Sequence, residues 1–170
     1  SLFGGRLAQQ GADVTLVARQ AHVDAINANG LRISGVKGDA TITNITAISS
    51  ADQAVGDFDY LILGVKSKDT AATLASASCL KGRIKEDDLS DWLGAEHVIG
   101  FATIEAAMLA GPGHAEHTFV LPQSTYFGEL DGTITPRVQA IVDICNAAEI
   151  GTKAMTNIKQ VMWEKVTQIA

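Results

Sequence analysis

Residues 1–19, SLFGGRLAQQGADVTLVAR, change their period partway along, and that change decides the class of fold. Leu2, Phe3 and Leu7 recur as one stripe of a helix, and Gly11 stands where a helix stops. ADVTLVAR (12–19) then alternates and is rich in β-branched residues, which predicts a strand ending at Arg19. QAHVDAINANG (20–30) returns to helical spacing through Val23 and Ile26, with Gly30 closing it. Helix, strand and helix in such short succession is the rhythm of a doubly wound α/β sheet. That fold normally begins with a strand and a glycine turn, whereas this sequence opens inside the first helix.

Further along, LRISGVKGDATITNITAIS (31–49) predicts a hairpin or two short strands, interrupted by Gly35 and Gly38. FDYLILGVK (58–66) is a continuous apolar run, the signature of a strand buried on both faces of a parallel sheet. SKDTAATLASASCL (67–80) resumes as a helix, with Ser67 or Asp69 near its cap. KGRIKEDDLSDWLG (81–94) passes from a charged turn into helical spacing, without the strand that should follow a crossover helix. EHVIGFATIEAAM (96–108) supplies another strand, and GPGHAEHTFVLPQSTYFGEL (111–130) is turn-punctuated and β-rich. TPRVQAIVDICNAAEI (135–150) is an amphipathic helix with Pro136 in its first turn, and NIKQVMWEKVTQIA (157–170) opens another with Asn157 as N-cap.

The chain has 170 residues, 46% apolar and 19% charged, the composition of a folded domain with a sizeable core. Its formal charge of −6 argues against a general nucleic-acid or anionic-membrane surface. No apolar run approaches the roughly 18 residues of a membrane span. The opening residues carry no basic segment followed by an apolar core, so no secretory signal is visible and the cytoplasm is the default compartment. Cys79 and Cys145 stand far apart without C-x-x-C spacing, which reads as two buried, reduced thiols.

Three cations stand where chemistry could use them. Arg19 ends the second strand of the pattern, where a doubly wound sheet meets the adenosine ribose of a dinucleotide. There an arginine fork can hold a 2′-phosphate, or simply be a solvated strand end. Lys66 ends the apolar run at the equivalent ligand-facing edge, or merely closes a strand. Lys165 falls on the inward face of the last helix with Ile158, Val161, Met162 and Ile169. It either snorkels along apolar surface or points its ammonium into a cleft, to bind a carboxylate or give up a proton. His114 and His117 are three apart in a strand and so face opposite ways, which argues against a shared metal. Trp92 and Trp163 read as packing residues, and Asp87 and Asp88 as a solvated cluster. No G-x-S-x-G, H-E-x-x-H or Walker lysine occurs.

Taken in order, SLFGGRLAQQGADVTLVAR, HVDAINANGLRISG, DYLILGVKS, GPGHAEHTF, YFGEL and VMWEK resemble the ketopantoate reductase family. Its members are 2-dehydropantoate 2-reductases, which make pantoate for coenzyme A. The resemblance implies a Rossmann-like NADP-binding domain over residues 1–156, with 157–170 beginning an all-helical domain that handles substrate. It implies that Arg19 contacts the 2′-phosphate, that Lys66 contacts cofactor near the nicotinamide, and that the backbone of Ala106 lies beside the cofactor. Lys165, in the W-x-K motif, matches the catalytic acid, and no residue matches a metal ligand. The expected cofactor is NADP(H) and the expected partner a small 2-oxo acid, while homo-oligomerisation stays open. Against the family pattern, the glycine-rich turn and first strand are missing, as is a strand with an asparagine–glycine turn expected near residues 82–85. Ile169 stands where the family often has asparagine. We therefore expect a longer chain, with segments before Ser1, near 82–85 and after Ala170. An opine- or hydroxyacid-dehydrogenase-like enzyme and a non-catalytic dinucleotide sensor are the rival readings.

Overall fold

The computed structural model describes residues 1–64, 90 and 93–169. Its first elements are those the period change predicts: α1 (Leu2–Gln9), β1 (Thr15–Val17) and α2 (Gln20–Asn29). Of the hairpin or two short strands expected over 31–49, β2 (Leu31–Gly35) and β3 (Ala40–Ile42) form a hairpin, pairing antiparallel. A further strand, β4 (Thr46–Ile48), follows and pairs parallel with β1. Between them the Asn44 amide donates to the Ala8 carbonyl, 2.7 Å away, which ties the linker to the end of α1.

The stretch 96–108, expected as one strand, is two: β5 (Ile99–Thr103) and β6 (Ala106–Gly111), separated by a corner at Ile104 and Glu105. β7 (His114–Phe119), β8 (Thr125–Glu129), α3 (Pro136–Ala147), β9 (Thr152–Ala154) and α4 (Ile158–Ile169) complete the described chain. Thr135 caps α3 through its hydroxyl, which accepts from the Val138 N–H, and Pro136 opens the helix where its missing N–H costs nothing.

Among the described residues the strands gather into three sheets, in the orders β1-β4, β3-β2-β7-β6 and β5-β8-β9. The β1/β4, β2/β7 and β8/β9 pairs are parallel and the others antiparallel. Helices α1 and α2 share one core with strands of the first two sheets, through Leu2, Ala8, Val23, Ile26, Leu31, Ile33 and Ala47. Two glycines make this possible. A Cβ on Gly4 would come within 2.7 Å of Leu16, and one on Gly5 within 2.6 Å of Ile33, so α1 lies close to β1 and β2 at once. Leu7 of α1 enters a second core with Phe127, Val138, Ile141, Cys145 and Ile150, which seats α3 on the third sheet. There Phe101 stacks on Phe127 at 4.9 Å and meets the edge of Phe3 at 5.7 Å.

Two expectations are corrected. Residues 58–64 form no strand: Leu61 is 66% exposed, and among the described residues of the run only Tyr60 and Ile62 pack against the second core. A strand buried on both faces needs hydrogen-bonding neighbours, and none of the described strands pairs with this one. Trp163 is not a packing residue, since it stands 64% exposed on the outer side of α4. The predicted helix 67–80, Lys66, Cys79, Asp87, Asp88 and Trp92 lie outside the described residues.

Candidate cofactor site

The first turns of α1 and α2 are brought together by one buried histidine. The Gly113 N–H donates to His22 Nδ1 at 2.9 Å, so the ring proton sits on Nε2, which lies 2.9 Å from Ser1 Oγ and donates to it. Burial pushes the His22 ring below its ordinary value, which suits a neutral imidazole that must accept on one side. His22 thereby joins α1, α2 and the β6–β7 turn at a single point.

Because the Ser1 hydroxyl is taken by His22, no side chain caps α1. The first turn of α1 holds no acidic residue, and neither does that of α2. Two helix starts side by side, each with partial positive charge and neither neutralised, form a place suited to an anion. Arg19 is the N-cap residue of α2, in extended backbone, and its carbonyl accepts from the His22 and Val23 N–H groups. Its side chain is exposed, and no described residue pairs with the guanidinium. The strand expected to end at Arg19 ends instead at Val17, two residues earlier, and Arg19 stands as the N-cap at the start of α2.

Ala106 opens β6 at the opposite end from the turn that touches His22. Ala106 and Gly111 are five residue steps apart along the strand, roughly 16 Å at about 3.3 Å each. Ala106 is exposed, its carbonyl accepts from Thr118 Oγ1 at 3.1 Å, and the β6/β7 register shifts between Ala106 and Ala107. The residue before it, Glu105, is the reverse: its side chain is only 2% exposed. Glu105 Oε1 accepts from Ser124 Oγ at 2.7 Å, and Oε2 lies 3.3 Å from His117 Nε2. His117 is 1% exposed, and burial, with Arg6 and Lys37 nearby, holds its ring below the ordinary value despite the Glu105 charge.

Lys165 sits on α4, whose first residue is wedged into the third sheet. Ile158 is 1% exposed and fills the space left by Gly100 and Gly128, where a Cβ would come within 2.8 Å of it. Two turns further, about 10 Å along the axis, Lys165 lies on the same face as Ile158, Val161 and Met162. It is half-buried, as are Val161 and Met162, and no described residue pairs with its ammonium. Cys145, by contrast, is a core group: burial pushes its thiol up to about 11, so it is no nucleophile at neutral pH.

The structure therefore sets the Arg19 backbone at the α2 start that His22 ties to Ser1, but places Ala106 at another edge of the molecule and Lys165 on a separate helix. Lys66 is outside the described residues. His22, Glu105, His117 and Ser124 were not singled out in this role from sequence. Only His22 left a trace there, as the neighbour of Val23 on the face that also carries Ile26.

Comparison with known proteins gives these positions a frame. The family model of ketopantoate reductase PanE/ApbA matches residues 1–132. A 2-dehydropantoate 2-reductase of Pyrococcus abyssi is 31% identical over 175 residues, covering 97% of this chain and 56% of its own. Among solved structures, the 2-dehydropantoate 2-reductase of Geobacter metallireducens superposes with a TM-score of 0.84 at 22% identity, over 96% of this chain and 57% of its own. D-mandelate dehydrogenase, solved with NADH and anilino(oxo)acetate, reaches a TM-score of 0.73 at 20% identity, over 93% of this chain and 54% of its own. The fold is the Rossmann-like α/β fold of these proteins. The chain spans about half the length of the curated relatives it matches.

Proposed function

Because the chain belongs to the ketopantoate reductase PanE/ApbA family, we propose that the protein is an oxidoreductase reducing a small 2-oxo acid with NADPH, 2-dehydropantoate foremost. The observation that carries the cofactor reading is the pair of uncapped helix starts held together by His22, with the exposed Arg19 as the N-cap residue of α2. The dinucleotide fits this place by its charge. First-turn N–H groups of α1 receive the pyrophosphate, and Arg19 binds the 2′-phosphate through charge-assisted hydrogen bonds. The reduced nicotinamide, when bound, supplies the hydride.

This chain's own part in the reaction falls to Ala106 and Lys165. Ala106 offers an exposed backbone edge with no side chain large enough to exclude a flat ring. Lys165 orients the substrate carbonyl through its ammonium and gives a proton from Nζ to the carbonyl oxygen as negative charge builds there. Lys66 is assigned a cofactor contact from the family resemblance alone. Residues 1–156 are the nucleotide-binding domain and 157–170 the start of the helical one, so Lys165 belongs to the wall between them. The cytoplasm is the proposed compartment.

The experiment is a turnover assay of the full-length protein with NADPH or NADH and a panel of 2-oxo acids that includes 2-dehydropantoate. NADPH-dependent consumption of 2-dehydropantoate above all other acids is the expected result. Preference for another 2-oxo acid replaces the substrate. Tight NADPH binding without turnover of any acid makes the protein a dinucleotide sensor.

A further inference from the structure

We infer that Glu105 is a positioning residue, holding the Ala106 corner in a fixed shape so that the nicotinamide end of the cofactor can be laid against it. This rests on the reading of Ala106 given above. Ile104 and Glu105 carry the chain from the β5-β8-β9 sheet to the β3-β2-β7-β6 sheet, so the corner spans two independent layers. Glu105 is tied to both. On one side Ser124, just before β8, donates its hydroxyl to Glu105 Oε1 at 2.7 Å and accepts the Ile104 N–H on its carbonyl at 2.8 Å. The Glu105 N–H donates to Thr103 Oγ1 at 3.2 Å, and that hydroxyl lies 3.0 Å from Thr125 Oγ1.

On the other side stands His117 of β7. Its Nε2 donates to the Phe119 carbonyl at 3.1 Å and lies 3.3 Å from Glu105 Oε2. Both neighbours are acceptors, so the proton is on Nε2. Nδ1 is buried with no partner among the described residues, as befits a neutral ring presenting its N–H edge to a carboxylate. Phe119 is the residue opposite Ala106, and Thr118 holds the Ala106 carbonyl. Every backbone segment bounding Ala106 is thus gripped by one small polar network.

Burying a carboxylate is costly, and an apolar side chain could join two sheets at less cost. A carboxylate does something an apolar group cannot: it fixes direction, by accepting from Ser124 and facing His117 along set vectors. The product is an exposed backbone edge, displaced by a register shift, whose shape does not depend on ligand. Register shifts of this kind re-aim residues beside sites, and a rigid supporting shell is what a binding edge needs.

The test measures two affinities in the full-length protein, for NADPH and for adenosine 2′,5′-bisphosphate, which lacks the nicotinamide. Glu105→Ala is expected to weaken NADPH by about tenfold or more while the bisphosphate binds as before. Glu105→Gln, which keeps the acceptor for His117 and a partner for Ser124, is expected to recover most of the loss. Should Glu105→Ala not fold, Ser124→Ala removes one contact, with an expected threefold to tenfold loss of roughly one hydrogen bond, again for NADPH alone. Equal losses for the two ligands, or no loss in a folded variant, overturn the inference. If the wild-type protein binds neither ligand, the cofactor reading and this inference fall together. If it binds both and only the selective loss is missing, the cofactor reading stands and the role of Glu105 does not.

Discussion

The Arg19 side chain is exposed, belongs to neither core and pairs with no described residue, so its removal leaves the cores intact and reports on ligand. Arg19→Ala removes a charge-assisted contact of about 1.5–3 kcal/mol. Measured Kd for NADPH should rise on the order of ten- to a hundredfold, with Kd for NADH nearly unchanged. Equal changes would make Arg19 structural. Lys165 needs a different substitution, because its stem lies on a half-buried face with Val161 and Met162. Lys165→Met keeps that stem and deletes the acid. If the ammonium protonates the product oxygen, kcat falls roughly 10²–10⁴-fold while NADPH affinity holds. Near-normal kcat would mean that the lysine only snorkels. Arg19 was legible as a cation ending a strand, and Lys165 as a cation on an apolar face. Glu105 and His117 were not, because nothing local in EAAM or HAEHT tells that two sheets meet there.

At the scale of elements, the placement of α4 depends on small residues beneath it. Ile158 occupies the space above Gly100 and Gly128, and a Cβ on Gly128 would also come within 2.2 Å of the Met155 carbonyl. Backbone cannot yield as a side-chain end can, so Gly128→Ala must push the β9–α4 connection away from β8. Such overpacking costs about 1–3 kcal/mol. Urea denaturation should show that loss, and kcat should fall with it if α4 carries the acid. Unchanged stability would mean that the connection relaxes freely. The period of each helix was readable from its apolar stripe, the stop at Gly30 and the Pro136 in the first turn of α3 from residue type, whereas the Thr135 cap emerged only in the structure. Whether residues 58–64 pair as a strand was not readable, because an apolar run states burial and not which neighbour supplies the hydrogen bonds.

For the whole molecule, two buried histidines tie distant segments together while neutral. His22 links α1, α2 and the β6–β7 turn, and His117 faces Glu105 across two sheets. Burial lowers both rings, and around His117 Glu105 opposes this while Arg6 and Lys37 add to it. With folded values below the unfolded value of about 6.5, their contribution is complete above that pH. It is lost as pH falls from about 6.5 toward the folded values, by up to about 1.4 kcal/mol per pH unit for each ring. Glu129, which Arg137 holds below the ordinary carboxylate range, loses its contribution only at lower pH. Unfolding free energy measured between pH 8 and 5 should therefore decline before the carboxylates titrate. His117→Gln should show a shallower decline from a lower starting point; an identical slope would remove His117 from the effect.

By itself the sequence determined what depends on neighbours along the chain: the helix–strand–helix opening, short strands within 31–49, α3 with proline in its first turn and the amphipathic α4. These follow from side-chain period and terminal residue types, which act over a few residues. Tertiary structure alone decided the rest. It divided the strands among three sheets, turned 96–108 into two strands about a corner, and left Trp163 outside. It also drew His22 onto Ser1 and set Glu105 between Ser124 and His117. Such contacts join residues far apart in the chain, and their energies come from burial and hydrogen-bond vectors that exist only once the layers have packed.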